Sequence, residues 1–158
     1  MLAISQETRF VKGETITQEG EQGDSMFILI DGNVEVSKTL TMKLEQGDFA
    51  EREKILTRAK AEDNLVFGEI AMIDRENRSA SVVTTTECIL LEIKREDFLA
   101  LLDKRSEMGV KVLRRLAELL ATRLRESSQD VIELTTALSV ALAADAKRNA
   151  NTRALSAV

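Results

Sequence analysis

Arg78 and Glu69 are the residues of this sequence whose types could hold a small charged molecule. A guanidinium is planar and grips two oxygens of a compact anion through paired hydrogen bonds. An ionised glutamate has acceptors only, so it suits a hydroxyl on the same molecule, and it could also orient the arginine. Both lie in Phe-Gly-Glu-Ile-Ala-Met-Ile-Asp-Arg-Glu-Asn-Arg-Ser-Ala-Ser, from Phe67 to Ser81. Within it, Gly68 to Ile73 is predicted to be a turn running into one helical turn, whose amides and positive end face the anion. Ser79 and the amide of Ala80 add donors. Phe67, Gly68, Glu69, Ile70, Ala71, Arg78, Ser79 and Ala80 are therefore candidate binding residues. Singly, each has a plainer reading. An arginine near Asp74, Glu69 and Glu76 is more often a surface ion pair worth under about 1 kcal/mol, and a Gly-Glu pair is usually a turn. Met72 and Ile73 read as core or pocket wall.

Taken together, Gly68-Glu69, Ala71 and Arg78-Ser79-Ala80 change that balance, because their order and spacing resemble the phosphate-binding cassette of the cyclic nucleotide-binding domain family. This is the family of the catabolite activators and of the regulatory subunits of cAMP-dependent kinases. Gly13, Gly20, Gly23 and Gly32 sit where its β-roll turns, and the likeness runs from about Glu7 to Ser128. The resemblance implies that Arg78 clamps a cyclic phosphodiester and that Glu69 takes a ribose 2′-hydroxyl. A second stretch, Arg123-Leu124-Arg125-Glu126-Ser127-Ser128, is similar to the helix segment that contacts adenine in the catabolite-activator branch. It adds Ser127 and Ser128 to the candidates and favours cAMP. A cGMP sensor stays open, since Ser79 beside Arg78 could reach a guanine amino group, as does a dimerisation module that no longer binds nucleotide.

The sequence departs from the family pattern in two places. Gly47-Asp48-Phe49 lies far ahead of Phe67-Gly68-Glu69, with a charged stretch from Ala50 to Asn64 between them, which reads as a lengthened hairpin. The helical segment that usually precedes the domain is expected to be short or absent, so ligand-driven helix motion is less firmly implied than binding. Only 30 residues follow Ser128 and read as helix then tail, so no winged helix-turn-helix is expected.

The elements that must position these residues are strands first and helices later. Glycines punctuate the first two thirds of the chain at Gly13, Gly20, Gly23, Gly32 and Gly47. Phe27-Ile28-Leu29-Ile30, Asp31-Gly32 and Val34-Glu35-Val36 predict a tight hairpin. Ala80 to Thr84 and Cys88 to Ile93 predict two more strands. Phe98, Leu101 and Leu102 mark a short helix from Arg95, and Ser106 is a plausible cap for a long one. In that helix Leu113, Ala117, Leu120, Leu124, Ser127, Val131, Leu134, Leu138 and Ala141 step by four and three, the spacing of a coiled-coil seam. A run to about Ala146 would span roughly 60 Å, too long for one small domain to cover, so a parallel homodimer is expected. The expected fold is mixed and mainly β, a jelly-roll-like β-roll with a short phosphate-binding helix and a long C-terminal dimerisation helix. The expected divisions are 1–105 for the β-roll, 106–146 for the helix and 147–158 for a disordered tail.

Composition bounds the chemistry. The 158 residues contain no histidine and one cysteine, Cys88, which removes the commonest general base and the usual zinc ligands. No metal site, no cofactor beyond the ligand and no catalysis are expected. Cys88 in an apolar run reads as a buried thiol in a reducing, cytoplasmic setting. A formal charge of −5 argues against contact with nucleic acid. The basic residues Lys111, Arg114, Arg115, Arg123 and Arg125 alternate with Glu118, Glu126 and Asp130 as on a solvated face. Nothing predicts a membrane span. The downstream effector is not legible.

Overall fold

The structure is a computed structural model that describes the backbone of residues 4–43 and 49–155, with side chains for 4–41 and 51–144. Gly47-Asp48 falls outside the described residues. The chain divides into two compact units, Met1–Gly109 and Val110–Val158.

The first unit is a β-roll of two four-stranded antiparallel sheets. One sheet has the order β1 (Gln6–Phe10), β8 (Cys88–Lys94), β3 (Ser25–Asp31) and β6 (Val66–Phe67). The other runs β2 (Thr15–Thr17), β7 (Ser81–Thr84), β4 (Asn33–Lys43) and β5 (Phe49–Lys60). Apolar residues at alternate strand positions supply one core from both sheets. Phe27, Leu29, Phe67 and Leu90 come from the first sheet, and Val34, Ala59 and Val82 from the second. Buried Cys88 joins them, its thiol donating to the Asn33 carbonyl at 3.3 Å, as expected of a structural cysteine.

The predicted hairpin at Asp31-Gly32 does not form. Its two strands exist, but β3 pairs with β6 and β8 while β4 pairs with β5 and β7, so the chain changes sheets there. A two-residue type I′ turn needs positive φ at both central residues. Here only Gly32 has it, at φ 93°, while Asp31 is absent from the positive-φ positions. Gly32 also passes so close to Glu87 and Cys88 that a Cβ would overlap the Glu87 carbonyl and the Cys88 sulfur. The turn residues mark a corner.

The predicted lengthened hairpin is present. β4 and β5 stay in register from Asn33↔Lys60 to Lys43↔Phe49, with a bulge at Val36/Ser37, and the charged stretch forms β5 and the 3-10 turn Ala61–Asp63. Pairing of β4 with β7 ends at Ser37↔Ser81, so the outer part of the hairpin is a two-stranded ribbon. Where β7 stops, the Glu19 carboxylate accepts from the freed Thr39 amide at 2.7 Å.

α2 (Arg95–Lys104) buries Phe98 and Leu101, the residues that predicted it. α3 (Ser106–Leu155) follows at once. Ser106 is its first helical residue and not a flanking cap, since the Gly109 amide bonds the Arg105 carbonyl and closes the first turn one residue earlier. α3 extends past the expected end near Ala146, because no glycine or proline follows Gly109 and its alanine- and arginine-containing end favours helix. In the second unit the expected seam residues Leu124, Val131, Leu134 and Leu138 are about two-thirds exposed.

Candidate functional site

The cassette is built on the edge of the first sheet. β6 is only two residues long, yet Phe27↔Phe67 pairing places its end. The two rings stack with centroids 5.3 Å apart. The chain then turns at Gly68, φ 78°, into α1 (Glu69–Asp74), with the Met72 amide donating to the Gly68 carbonyl at 3.2 Å. No side chain caps the start of α1. The helix stops at Arg75, φ 65°, whose amide bonds the Ala71 carbonyl.

One face of α1 is core. Glu69, Ala71 and Met72 are buried, whereas Ile70 and Ile73 are exposed. Met72 is thus core, and Ile73, which α1 directs outward, is not, which leaves it the pocket-wall reading. Arg95 holds the far end of α1 by donating to the carbonyls of Met72 and Ile73.

Arg78 is fixed through its backbone and its side chain. Its amide donates to the Glu21 carbonyl at 2.8 Å, and its carbonyl accepts from the Gly20 amide at 3.0 Å. Gly20 needs φ 83° for that approach. The side chain turns inward, and Arg78 as a residue is 8% exposed. Nη1 donates to the carbonyls of Ser25 at 2.5 Å and Gly68 at 3.1 Å, and Nη2 donates to the Ser25 hydroxyl at 3.1 Å. Its central carbon lies 5.8 Å above the Phe27 ring. Burial lowers the Arg78 pKa, and the carboxylates of Asp24, Glu92 and Glu69 oppose that shift. A plain surface ion pair, the alternative reading of this arginine, does not describe it.

The other candidates take distinct positions. Phe67 is buried in the core and Gly68 contributes its carbonyl to Arg78. Glu69, 1% exposed, shares the buried neighbourhood of Arg78. Ser79 is exposed and Ala80 half-buried, its carbonyl accepting from Thr17 at 3.4 Å. Ser127 and Ser128 lie on the exposed part of α3 in the second unit, where the Ser128 hydroxyl donates to the Leu124 carbonyl at 2.8 Å.

Sequence reasoning missed the residues that hold Arg78. Gly23 reads as a turn glycine, but its φ is ordinary and its role is space, since a Cβ there would overlap the Arg78 guanidinium. A Cβ at Gly68 would likewise crowd Arg78 and sit 2.9 Å from the Ser25 carbonyl. Gly23-Asp24-Ser25 before a buried strand was the available signal, a small residue and two polar ones where a side chain from elsewhere could enter. A cleft of about 500 Å³ adjoins the cassette, with Gly23, Asp24, Ala71, Arg75 and Arg95 in its wall.

The paired sheets, the glycine-led α1 and the inward arginine define a ligand-binding β-roll. The chain belongs to the cyclic nucleotide-binding domain family, which residues 7–105 match. It is 30% identical over 125 residues to the CRP-like cAMP-activated global transcriptional regulator of Mycobacterium tuberculosis, covering 79% of this chain and 50% of the relative. Against the cyclic AMP receptor protein of Thermus thermophilus it is 31% identical over 130 residues, or 82% and 54% of the two chains. Among solved structures, the Thermus thermophilus catabolite activator protein superposes with a TM-score of 0.69 at 30% identity, over 85% of this chain and 56% of that one. A cyclic nucleotide-binding domain from Methylobacillus flagellatus also gives 0.69, at 27% identity over 82% and 67%. The chain spans about half the length of the curated relatives it matches. The name of the Mycobacterium relative includes transcriptional regulation, which is said of that protein. Among the described residues no helix is long and apolar enough to cross a membrane, and no cluster suits a metal ion.

Proposed function

We propose that this chain is a non-catalytic sensor that binds cAMP in the cytoplasm as a homodimer. The observation that carries the reading is the convergence of Arg78 and Glu69 on one buried neighbourhood beside Gly68. Arg78 is already oriented by Ser25 and Gly68, so a phosphate meets a guanidinium whose rotamer entropy is largely lost before binding. The start of α1 offers amides to the same phosphate. Glu69 accepts from the ribose 2′-hydroxyl, and Phe67, Ile70, Ala71, Ser79 and Ala80 complete the surroundings.

Adenine recognition falls to Ser127 and Ser128, and the exposed α3 seam supplies the dimer. That cAMP-responsive proteins stand among the relatives supports the base preference. The exposed Ser79 next to Arg78 keeps cGMP as the second reading. Calorimetric titration with cAMP and then cGMP tests the proposal. Saturable one-to-one binding tighter for cAMP supports it. Tighter cGMP binding supports the second reading, and no heat with either supports a dimerisation module without ligand.

A further inference from the structure

The outermost strands of the two sheets are β1 and β6 in the first and β2 and β5 in the second. Such a strand leaves backbone donors and acceptors facing outward, and folded proteins block these edges with short strands, bulges, lysine or proline. β6 is two residues long, β2 is three with a broken register, and β5 carries a bulge with Lys54 and Lys60 along it. β1 has none of these devices. Its five residues, Gln6 to Phe10, run in unbroken register with β8 and contain no lysine, glycine or proline. Among the described residues no strand lies on their other side.

The side chains of β1 are complementary to a second β1. Phe10 packs against the core, so Gln6 and Thr8 share its face, and Glu7 and Arg9 stand on the outer one. A two-fold axis perpendicular to the sheet keeps every residue on its own face, so two antiparallel copies oppose only residues whose numbers sum to an even value. Centring the pair on Thr8 matches all five residues and sets Glu7 opposite Arg9 of the second copy, twice. A shift of two in either direction leaves three pairs and sets Glu7 against Glu7 or Arg9 against Arg9. Arg9 already donates from Nε and Nη2 to Glu7 Oε1, at 3.1 and 3.0 Å, while Oε2 accepts from no described residue. Both side chains are more than half exposed. Arg9 of the second copy can therefore reach Oε2 without breaking the existing bond, and four alternating charges close a ring.

We infer that β1 is a self-association edge, to which a second copy of this chain adds its own β1 antiparallel with Thr8 opposite Thr8. The contact is separate from the α3 seam and from nucleotide binding. Five residues a side bury less than the roughly 1,200 Å² of a stable complex, so the contact is weak and covalent trapping reads it.

The test is the rate at which the full chain with Thr8→Cys forms a covalent dimer under diamide, since opposed residues have Cα atoms roughly 5 Å apart, within disulfide reach. The native Cys88 thiol is buried, and the wild-type chain is the blank. In the Thr8→Cys background, Glu7→Arg and Arg9→Glu should each slow dimer formation at least about fivefold. The two together exchange the charges and restore the match, so the rate should return to within about twofold. General repulsion would speed one single variant and slow the other, because Glu7→Arg moves the formal charge from −5 to −3 and Arg9→Glu moves it to −7. The pattern should survive Leu124→Asp with Leu134→Asp, which separates this edge from the seam. Sedimentation of the charge variants in that seam-broken chain, with Thr8 intact and at high concentration, gives a second reading that needs no thiol access. Opposite responses of the two single variants, no recovery in the pair, or loss of the pattern with the seam would overturn the inference. No dimer in either reading would leave the edge to a strand of another protein and would overturn it as well.

Discussion

The Arg78 guanidinium donates to the Ser25 carbonyl across 2.5 Å, joining residues 53 positions apart in the chain. That bond aims the one side chain proposed to bind phosphate and ties α1 to β3 through the shared donor on Gly68. Arg78→Ala should cost about 2 to 5 kcal/mol of cAMP affinity, as loss of a buried charged partner does. Arg78→Lys should recover little, because an ammonium lacks the planar fork. Calorimetry with circular dichroism checks both, and an unchanged Kd in folded Arg78→Ala would refute the clamp.

Gly23 tests the same geometry from the opposite side. Gly23→Ala adds one carbon where the guanidinium lies. It should displace Arg78 and weaken cAMP at least about tenfold while destabilising the fold by about 1 to 3 kcal/mol. Urea unfolding beside titration separates the two effects. Wild-type affinity would mean that Arg78 is not needed where it sits.

Glu69→Ala should weaken cAMP more than 2′-deoxy-cAMP, because only the former has the hydroxyl that a carboxylate accepts from. Equal losses in competition titrations would limit Glu69 to a structural part in its buried position.

Gly32→Ala tests the corner between sheets. Positive φ and overlap with Glu87 and Cys88 should together cost about 1 to 3 kcal/mol. The melting temperature should fall by roughly 2 to 12 °C. No change on thermal denaturation would argue against the sheet switch.

Leu124→Asp with Leu134→Asp should give a folded monomer with weaker cAMP affinity, since both residues are exposed and fall on the seam. Light scattering with and without cAMP reads the outcome. A monomer with undiminished affinity would break the proposed link between ligand and dimer.

The sequence by itself determined the elements whose cause is local. The apolar run Phe27 to Ile30 and the alternation Val34-Glu35-Val36 made strands, apolar spacing after Arg95 made helices, and Gly68-Glu69 marked the start of the short helix α1. Tertiary structure alone decided partners. Asp31-Gly32 looks the same to its neighbours whether the chain folds back in one sheet or crosses to another, and only β6 and β8 competing for β3 settle it. Gly23 looks like any turn glycine until Arg78 arrives from 55 positions away in the chain to fill its space. Local pattern follows from backbone sterics and periodicity within a few residues, whereas pairing and burial depend on segments that meet only once the core closes.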